Sequence, residues 1–460
     1  MGGSAFAAYG LRTPRMPPNV YKHVKKCCLD KLSELYVITA SPIEAPEKED
    51  FGDVDVLVAV ERPPAGTRVN ENPPSHGSGQ NTHNQLLTIG QKLQASHSII
   101  LSPPVSANFA IPWPAGLEGN AEQQHAERFI QVDVRICRTE QQLKWALFKH
   151  AHGDIWNMIG SMIRPYGLTA DEQALWLRIP EIEKHDRKQA KVKLTDDPAE
   201  VIDFLGMKSD GFWTEPFESV AALYQYVTTC RLPLIRWPSS SSPPGAAAAE
   251  ESPANGSTTG TVDDAAEVKK SLKSNDRRRM NQRPIYRTWI NEIVPKLMAD
   301  DSVFCADPDT DLPRMRAQVE EQALERFSGA KQDYESRLRA WRLVKNTEAV
   351  KRMLKELVPP HDNINYRSTL VSALKKIILD GDQSFKVYPD TPFKTEDGFY
   401  DLDAVRTFFA EKGDELGAVA WQRQCKKGRE ALEVKLARQR AQQAVTEKLI
   451  REELSSKEGS

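Results

Sequence analysis

Two acidic residues lie inside one of the most apolar segments of the chain. Residues 51–60 read Phe-Gly-Asp-Val-Asp-Val-Leu-Val-Ala-Val, so Asp53 and Asp55 are embedded among aliphatic, mostly β-branched residues. Such a run favours a buried strand. Because side chains alternate between the faces of a strand, both carboxylates are expected on one face, about 6–7 Å apart along the chain. Like charges at the end of a core strand repel unless a cation lies between them, and Mg²⁺ is the obvious candidate.

A third acid has a similar setting. Residues 128–137 read Arg-Phe-Ile-Gln-Val-Asp-Val-Arg-Ile-Cys and place Asp133 in a second short apolar strand. If the two strands are neighbours, Asp53, Asp55 and Asp133 converge on a site for two divalent ions. Such a site stabilises the attacking and leaving oxygens in phosphoryl and nucleotidyl transfer.

Upstream, residues 35–41 form an apolar strand that ends in Ala40-Ser41. The order of strand, small residue and Ser, Gly52 to Val56 with its two acids, and a later isolated Asp resembles the DNA polymerase beta-type nucleotidyltransferase superfamily over residues 20–180. The resemblance implies that Ala40, Ser41 and Gly52 contact the nucleotide, and that Asp53, Asp55 and Asp133 are catalytic and hold Mg²⁺ or Mn²⁺. The family's usual Gly before the Ser is Ala40 here, and its Cβ crowds the approach of the backbone to phosphate.

Three functions follow as hypotheses. The first is a metal-dependent nucleotidyltransferase that moves a nucleoside monophosphate from a nucleoside triphosphate to an acceptor hydroxyl, with RNA as one candidate acceptor. The second is a catalytically inactive scaffold or RNA-binding protein with the same fold. The third is a phosphodiesterase or nuclease that uses the same acids.

Composition restricts the cellular compartment and the partners that can be expected for this chain. The net charge is −2 over 460 residues, so no global basic field indicates nucleic-acid binding. The six cysteines form no Cys-x-x-Cys pair, which is typical of free thiols in a reducing compartment. No apolar run approaches the ~20 residues of a membrane span. These features predict an intracellular protein, cytoplasmic or nuclear, without a membrane partner.

The expected fold class is α+β, with a nucleotidyltransferase-type mixed sheet and flanking helices followed by a helical C-terminal domain. We expect a flexible tail over residues 1–19, a head domain over 20–180 and its α/β continuation over 181–237. The segment 238–283 is rich in Ser, Pro, Gly and Ala and predicts a disordered linker. Period-3.6 apolar stripes over 284–460 predict a helical domain that ends in a long charged helix.

Several residue clusters allow more than one interpretation. His150, His152 and Asp154 could bind metal, but their position at a helix junction favours a cap by Asp154. Aromatic residues near 212–226 are core more often than base-stacking sites. The long C-terminal helix could contact a protein partner or follow an RNA backbone. Five basic side chains could neutralise the charge of a triphosphate: Lys144, Lys149, His150, His152 and Arg164.

Overall fold

The computed structural model describes residues 3–63, 79–103, 105–117, 127–235, 281, 283–300, 303, 305–307 and 309–458. The chain divides into two compact units, Met1–Tyr334 and Glu335–Ser460. The expected mixed sheet with flanking helices and a helical C-terminal part is confirmed.

A five-stranded mixed sheet forms the centre of the first unit. Its strands are β1 (Tyr36–Ala40), β2 (Asp53–Glu61), β3 (His97–Ile100), β4 (Ser106–Pro112) and β5 (Phe129–Cys137), in the order β1-β2-β5-β4-β3. β2 and β5 are parallel, and the other three pairings are antiparallel. The parallel pair thus lies at the centre of the sheet and carries all three predicted acids.

The two faces of this sheet differ in chemistry. Helices α1 (Pro18–Ser33) and α2 (Gly79–Leu93) contribute to the core on one face, where Val54 and Val132 are fully buried. α1 supplies a stripe of buried residues spaced four apart, namely Val20, Val24, Cys28 and Leu32. The opposite face carries the acids and, beyond them, a smaller cluster in which Leu57 and Ala59 pack against α3 (Glu140–His150).

The rest of the first unit is built of short elements. They are α4 (Ile155–Ile163), β6 (Leu168–Ala170), β7 (Leu175–Arg178), α5 (Pro180–Glu183), β8 (Lys191–Thr195), α6 (Pro198–Phe204), α7 (Val220–Thr228), β9 (Leu234–Ile235), α8 (Pro284–Thr288), a π-helical turn (Trp289–Ile293), α9 (Val294–Ala299), β10 (Cys305–Ala306) and α10 (Asp311–Arg326). β6, β7 and β8 form an antiparallel sheet, and β9 pairs with β10 in parallel. Asp197 caps α6 by accepting a hydrogen bond from the Ala199 amide at 2.8 Å.

The second unit is helical. α11 (Ser328–Leu357) begins before the unit boundary, and α12 (Ile364–Asp380), a 3₁₀ turn (Gln383–Phe385) and α13 (Leu402–Glu458) follow. Leu354, Leu374, Val405 and Leu416 are all fully buried in one core formed by these helices.

Two boundaries differ from those expected. The N-terminal segment is packed rather than flexible, because Phe6 is 1% exposed against Ala110 and Phe129, and Met16 is fully buried. Residues 284–334 belong to the first unit and not to a separate helical domain. Tyr224 in α7, for example, donates to the carbonyl oxygen of Ile285 at 2.9 Å.

The predicted linker, 238–283, lies outside the described residues except for residues 281 and 283. All six cysteines are free. Among the described helices, none combines the length and the apolar character that crossing a bilayer requires.

Candidate active site

The sheet brings the three predicted acids onto one face. Asp55 and Asp133 are direct cross-strand partners in the parallel β2–β5 pair. Asp53 lies two residues before Asp55 on the same face, opposite Gln131. The buried valines between them, Val54 and Val132, point to the other face and hold the strands in this register. The predicted juxtaposition of the acid-bearing strands is therefore present.

The acids affect each other's protonation. Loss of hydration, followed by the charges of Asp53 and Asp133, raises the pKa of Asp55 to about 7. Asp55 itself is exposed in an open cleft, so water screens part of this effect. Loss of hydration also raises the pKa of Asp133 to about 6, although a hydrogen bond from Asn108 opposes this rise. The pKa of Asp53 is raised for the same reason, and the Lys48 charge opposes it.

Two amide side chains hold Asp133. Oδ1 of Asp133 accepts hydrogen bonds from Nδ2 of Asn108 and, at 2.9 Å, from Nε2 of Gln131. The Gln131 amide is itself oriented by Ala5, whose backbone N–H donates to Oε1 of Gln131 at 2.9 Å. Sequence reasoning missed Asn108, Gln131 and the N-terminal segment. Strand alternation gives the signal for Gln131, because it stands two residues before Asp133 on the same face.

The N-terminal segment also contacts Asp53 at the start of β2. A backbone hydrogen bond from Gly3 lowers the pKa of Asp53 against the larger effect of burial. Gly3 has φ +87°, and a Cβ there would collide with the carbonyl oxygen of Gly52. This part of the chain therefore needs glycine for both its backbone conformation and its close contact with Gly52.

The loop after β1 holds the predicted phosphate-contact residues. Ser41 follows β1 directly, and its buried hydroxyl lies beside the Tyr21 hydroxyl without a hydrogen bond of ordinary geometry. Residues 41–50 are turn and coil, so Ser41 is not at a helix N-terminus, and Pro42 has no N–H to offer. Glu44 fixes this loop through the Tyr21 hydroxyl and through Lys48, whose Nζ is 2.6 Å from its carboxylate.

The cleft beside the acids measures about 170 Å³. Its lining includes Asp55, Asp133, Arg135 and His150. Nε2 of His150 and NH1 of Arg135 each lie 3.5 Å from Oε2 of Glu172, and the hydrogen bond from His150 is the largest cause of the lowered Glu172 pKa. The cleft therefore combines two acids on β2 and β5 with Arg135 on β5 and His150 at the end of α3.

The other basic residues expected near phosphate lie elsewhere. Lys144 pairs with Glu140 at 2.8 Å on an exposed surface, and Lys149 donates to the Ala170 carbonyl at 3.2 Å. His152 is fully buried, and its Nε2 is 2.8 Å from the Phe212 carbonyl oxygen. Only His150 of the five therefore lines the cleft described above.

The helix-junction cluster does not form a metal site. His152 packs against Phe212 and Phe217. Of the aromatic residues predicted to be core, Phe212, Tyr224 and Tyr226 are buried, whereas Trp213 is 42% exposed. The sequence predicted that Asp154 caps the next helix, but its side chain makes no capping hydrogen bond to α4. Its Oδ1 instead accepts from Asn157 at 3.0 Å and from Arg283 at 2.6 Å.

Within the described part of the chain, no three His, Cys, Asp or Glu side chains come close enough together to hold a metal ion. In addition, Oδ1 of Asp133 already accepts two amide hydrogens. The donor chemistry nevertheless suits a hard divalent cation, because three carboxylates share one open face.

Comparison with known proteins gave no family model and no curated protein that matches this chain. Among solved structures, the chain is similar to polymerase beta of Leishmania infantum in a ternary P/T complex, with 15% identity and a TM-score of 0.30 over 42% of this chain and 74% of that chain. A ternary gap complex of the same polymerase gives 13% identity and a TM-score of 0.31 over 44% and 71%.

Proposed function

We propose that the first unit is a metal-dependent nucleotidyltransferase that moves a nucleoside monophosphate from a nucleoside triphosphate to an acceptor hydroxyl. The proposal rests on one observation above all: Asp55 lies directly opposite Asp133, with Asp53 on the same face, at an open cleft. A fold gains nothing from three adjacent carboxylates, because their mutual repulsion lowers its stability. A cation would remove this repulsion.

Asp53, Asp55 and Asp133 would hold Mg²⁺ or Mn²⁺, which would neutralise the developing negative charge on phosphoryl oxygens. Asn108 and Gln131 would then compete with the ion for Asp133, because Oδ1 of Asp133 accepts hydrogen bonds from both amides. Metal affinity in the absence of nucleotide is accordingly expected to be weak.

The nucleotide would occupy the cleft with its phosphates towards Ser41 and His150. The Ser41 hydroxyl lies beside the Tyr21 hydroxyl in the loop after β1 and would turn from it to donate to a phosphate oxygen. His150 lines the same cleft. Ala40 and Gly52 lie at the ends of β1 and β2 that border this region. RNA is one candidate acceptor.

The experiment is transfer of radiolabel from each α-labelled nucleoside triphosphate, with Mg²⁺ or Mn²⁺, to mixed RNA, DNA and protein acceptors. Asp55→Asn and Asp133→Asn are expected to lower transfer at least 100-fold. Glu61→Gln is the matched control, since Glu61 is an exposed acid at the other end of β2. Equal transfer by all the variants would refute the assigned site.

A second candidate is a domain of the same fold that binds no metal. It is favoured by the amide hydrogen bonds that already occupy Asp133, and by the absence of a three-residue metal cluster among the described side chains. Such a protein would transfer no label and would show no Mg²⁺-dependent nucleotide binding. A nuclease, the third hypothesis, would cleave polynucleotide without consuming triphosphate.

A further inference from the structure

The distal part of α13 is exposed over its whole circumference. The helix is packed in the second unit as far as Ala420, which is 3% exposed, and Arg423 is the last of the described side chains, which end at residue 446, to contact another element. There, NH1 of Arg423 lies 2.9 Å from the Ser384 hydroxyl. Every residue of 422–446 has an exposed side chain. At 1.5 Å per residue this stretch is roughly 37 Å long.

This stretch is strongly basic. Between Arg423 and Arg440 the net charge is +5, since only Glu430 and Glu433 oppose seven cations. The cations are Arg423, Lys426, Lys427, Arg429, Lys435, Arg438 and Arg440. Within the described structure, the last five lie within ion-pairing distance of no acid, and Lys426 approaches Glu430 only to 4.0 Å. Nearby acids therefore do not balance the positive charge of this surface, although the whole chain is close to neutral.

The positions of the cations around the helix are informative. At 100° per residue, Lys427, Lys435 and Arg438 lie on one flank of α13, and Arg429 and Arg440 lie on the opposite flank together with Glu433. Cations on both flanks can contact two rows of phosphates at once. A helix with its side chains is about 10–12 Å wide, which matches the roughly 12 Å major groove of B-form DNA.

Other partners fit this surface less well. Leu432 and Leu436 are exposed and one turn apart, but Gly428 and Arg429 precede them and Gln439 and Arg440 follow, so no continuous seam for a partner helix forms. From Gln422 onward the sequence contains no Phe, Tyr or Trp that could stack on the bases of a single strand.

We propose that residues 423–440 of α13 form a binding surface for the phosphate backbones of double-stranded DNA. This surface belongs to the second unit and is independent of the proposed nucleotidyl transfer. Its binding is expected to be insensitive to base sequence, since contacts to phosphate carry no sequence information.

The test uses the full chain and a fluorescein-labelled 24-base-pair duplex, measured by anisotropy at several salt concentrations. The test variant combines Lys427→Glu, Lys435→Glu, Arg438→Glu and Arg440→Glu. The control variant makes the same charge change on other helices of the second unit, through Lys351→Glu, Arg352→Glu, Lys355→Glu and Lys376→Glu. Circular dichroism verifies that both variants are folded.

The test variant is expected to lose at least tenfold in affinity and to reduce the slope of log affinity against log salt by about 3 to 4. The control is expected to change affinity less than threefold. Unchanged binding by the test variant, or an equal loss in both variants, would overturn the proposal. So would tighter binding to single-stranded RNA or to vesicles of anionic lipid than to the duplex.

Discussion

Asp55 and Asp133 face each other across the only parallel strand pair of the five-stranded sheet. This register brings two carboxylates, separated by 78 positions in the chain, onto adjacent strands at one cleft. Loss of hydration and the charges of neighbouring acids raise both pKa values towards neutrality, that of Asp55 to about 7 and that of Asp133 to about 6. The ionised carboxylates of the site thus lower the stability of the fold unless a proton or a cation compensates their charge.

The stability of the first unit should fall as pH rises in the presence of EDTA. An acid whose pKa is higher in the folded than in the unfolded state binds more protons when folded, so its contribution is lost as pH rises from about 4 through about 7. Asp55→Asn should raise stability at pH 8 by on the order of 1 kcal/mol, allowing for solvent screening at this open site. Thermal unfolding between pH 5.5 and 8 measures this effect.

At pH 5 the same substitution should have a smaller effect, because the loss begins near pH 4 and is only partial at pH 5. Glu61→Gln provides the control and should leave the pH profile unchanged. If Asp55→Asn and the native chain are equally stable at pH 8, the charge of Asp55 does not destabilise the fold.

Phe6→Ala should destabilise the first unit by about 3–5 kcal/mol, because it removes a buried aromatic ring and leaves a cavity. Tyr9→Ala, three residues later, should cost less than about 0.5 kcal/mol, since Tyr9 is 67% exposed. Urea unfolding followed by tryptophan fluorescence measures both. Equal stability of the two variants would mean that the N-terminal segment is not docked on the sheet.

Gly428→Ala should strengthen the exposed part of α13 by about 1 kcal/mol, because a Cβ there meets open space and alanine has the higher helix propensity. Gly413→Ala in the same helix is the contrasting case, since its Cβ would lie 3.0 Å from the Phe409 ring. Hydrogen exchange of the α13 amides should slow in the first variant only. Slower exchange in both would show that the Phe409 contact is not limiting.

Deletion of residues 240–275 should leave the unfolding temperature within about 2 °C of the native value, because described contacts fix both sides of this segment. Leu234 pairs with Cys305 before it, and Arg283 contacts Asp154 after it. Differential scanning calorimetry measures the change. A loss of 10 °C or more would show that the segment contributes to the core.

Strand alternation and apolar runs predicted much of the fold, including the strands that carry Asp53, Asp55 and Asp133. They could not predict the docking of Phe6, because one aromatic residue among small ones has no periodicity. Nor could they assign residues 284–334 to the first unit. That assignment depends on long-range contacts, such as Arg316 to Glu183 at 2.5 Å, which no local pattern contains.

The site too was predictable only where it depends on local alternation along a strand. The common face of the three acids follows from a period of two residues, but the hydrogen bond from Asn108 to Asp133 depends on which strand lies beside β5. Asn108 reaches Asp133 because β4 pairs with β5 in one particular register. A single sequence does not fix that register.

Titration of Mn²⁺ in the presence of a non-hydrolysable nucleoside triphosphate, followed by electron paramagnetic resonance, tests the acidic site most directly. The native chain and Glu61→Gln should bind one or two Mn²⁺ ions per chain, and Asp55→Asn and Asp133→Asn should weaken this binding at least tenfold. Equal binding by all four proteins, or binding by none of them, would contradict the assignment of Asp55 and Asp133 as metal ligands.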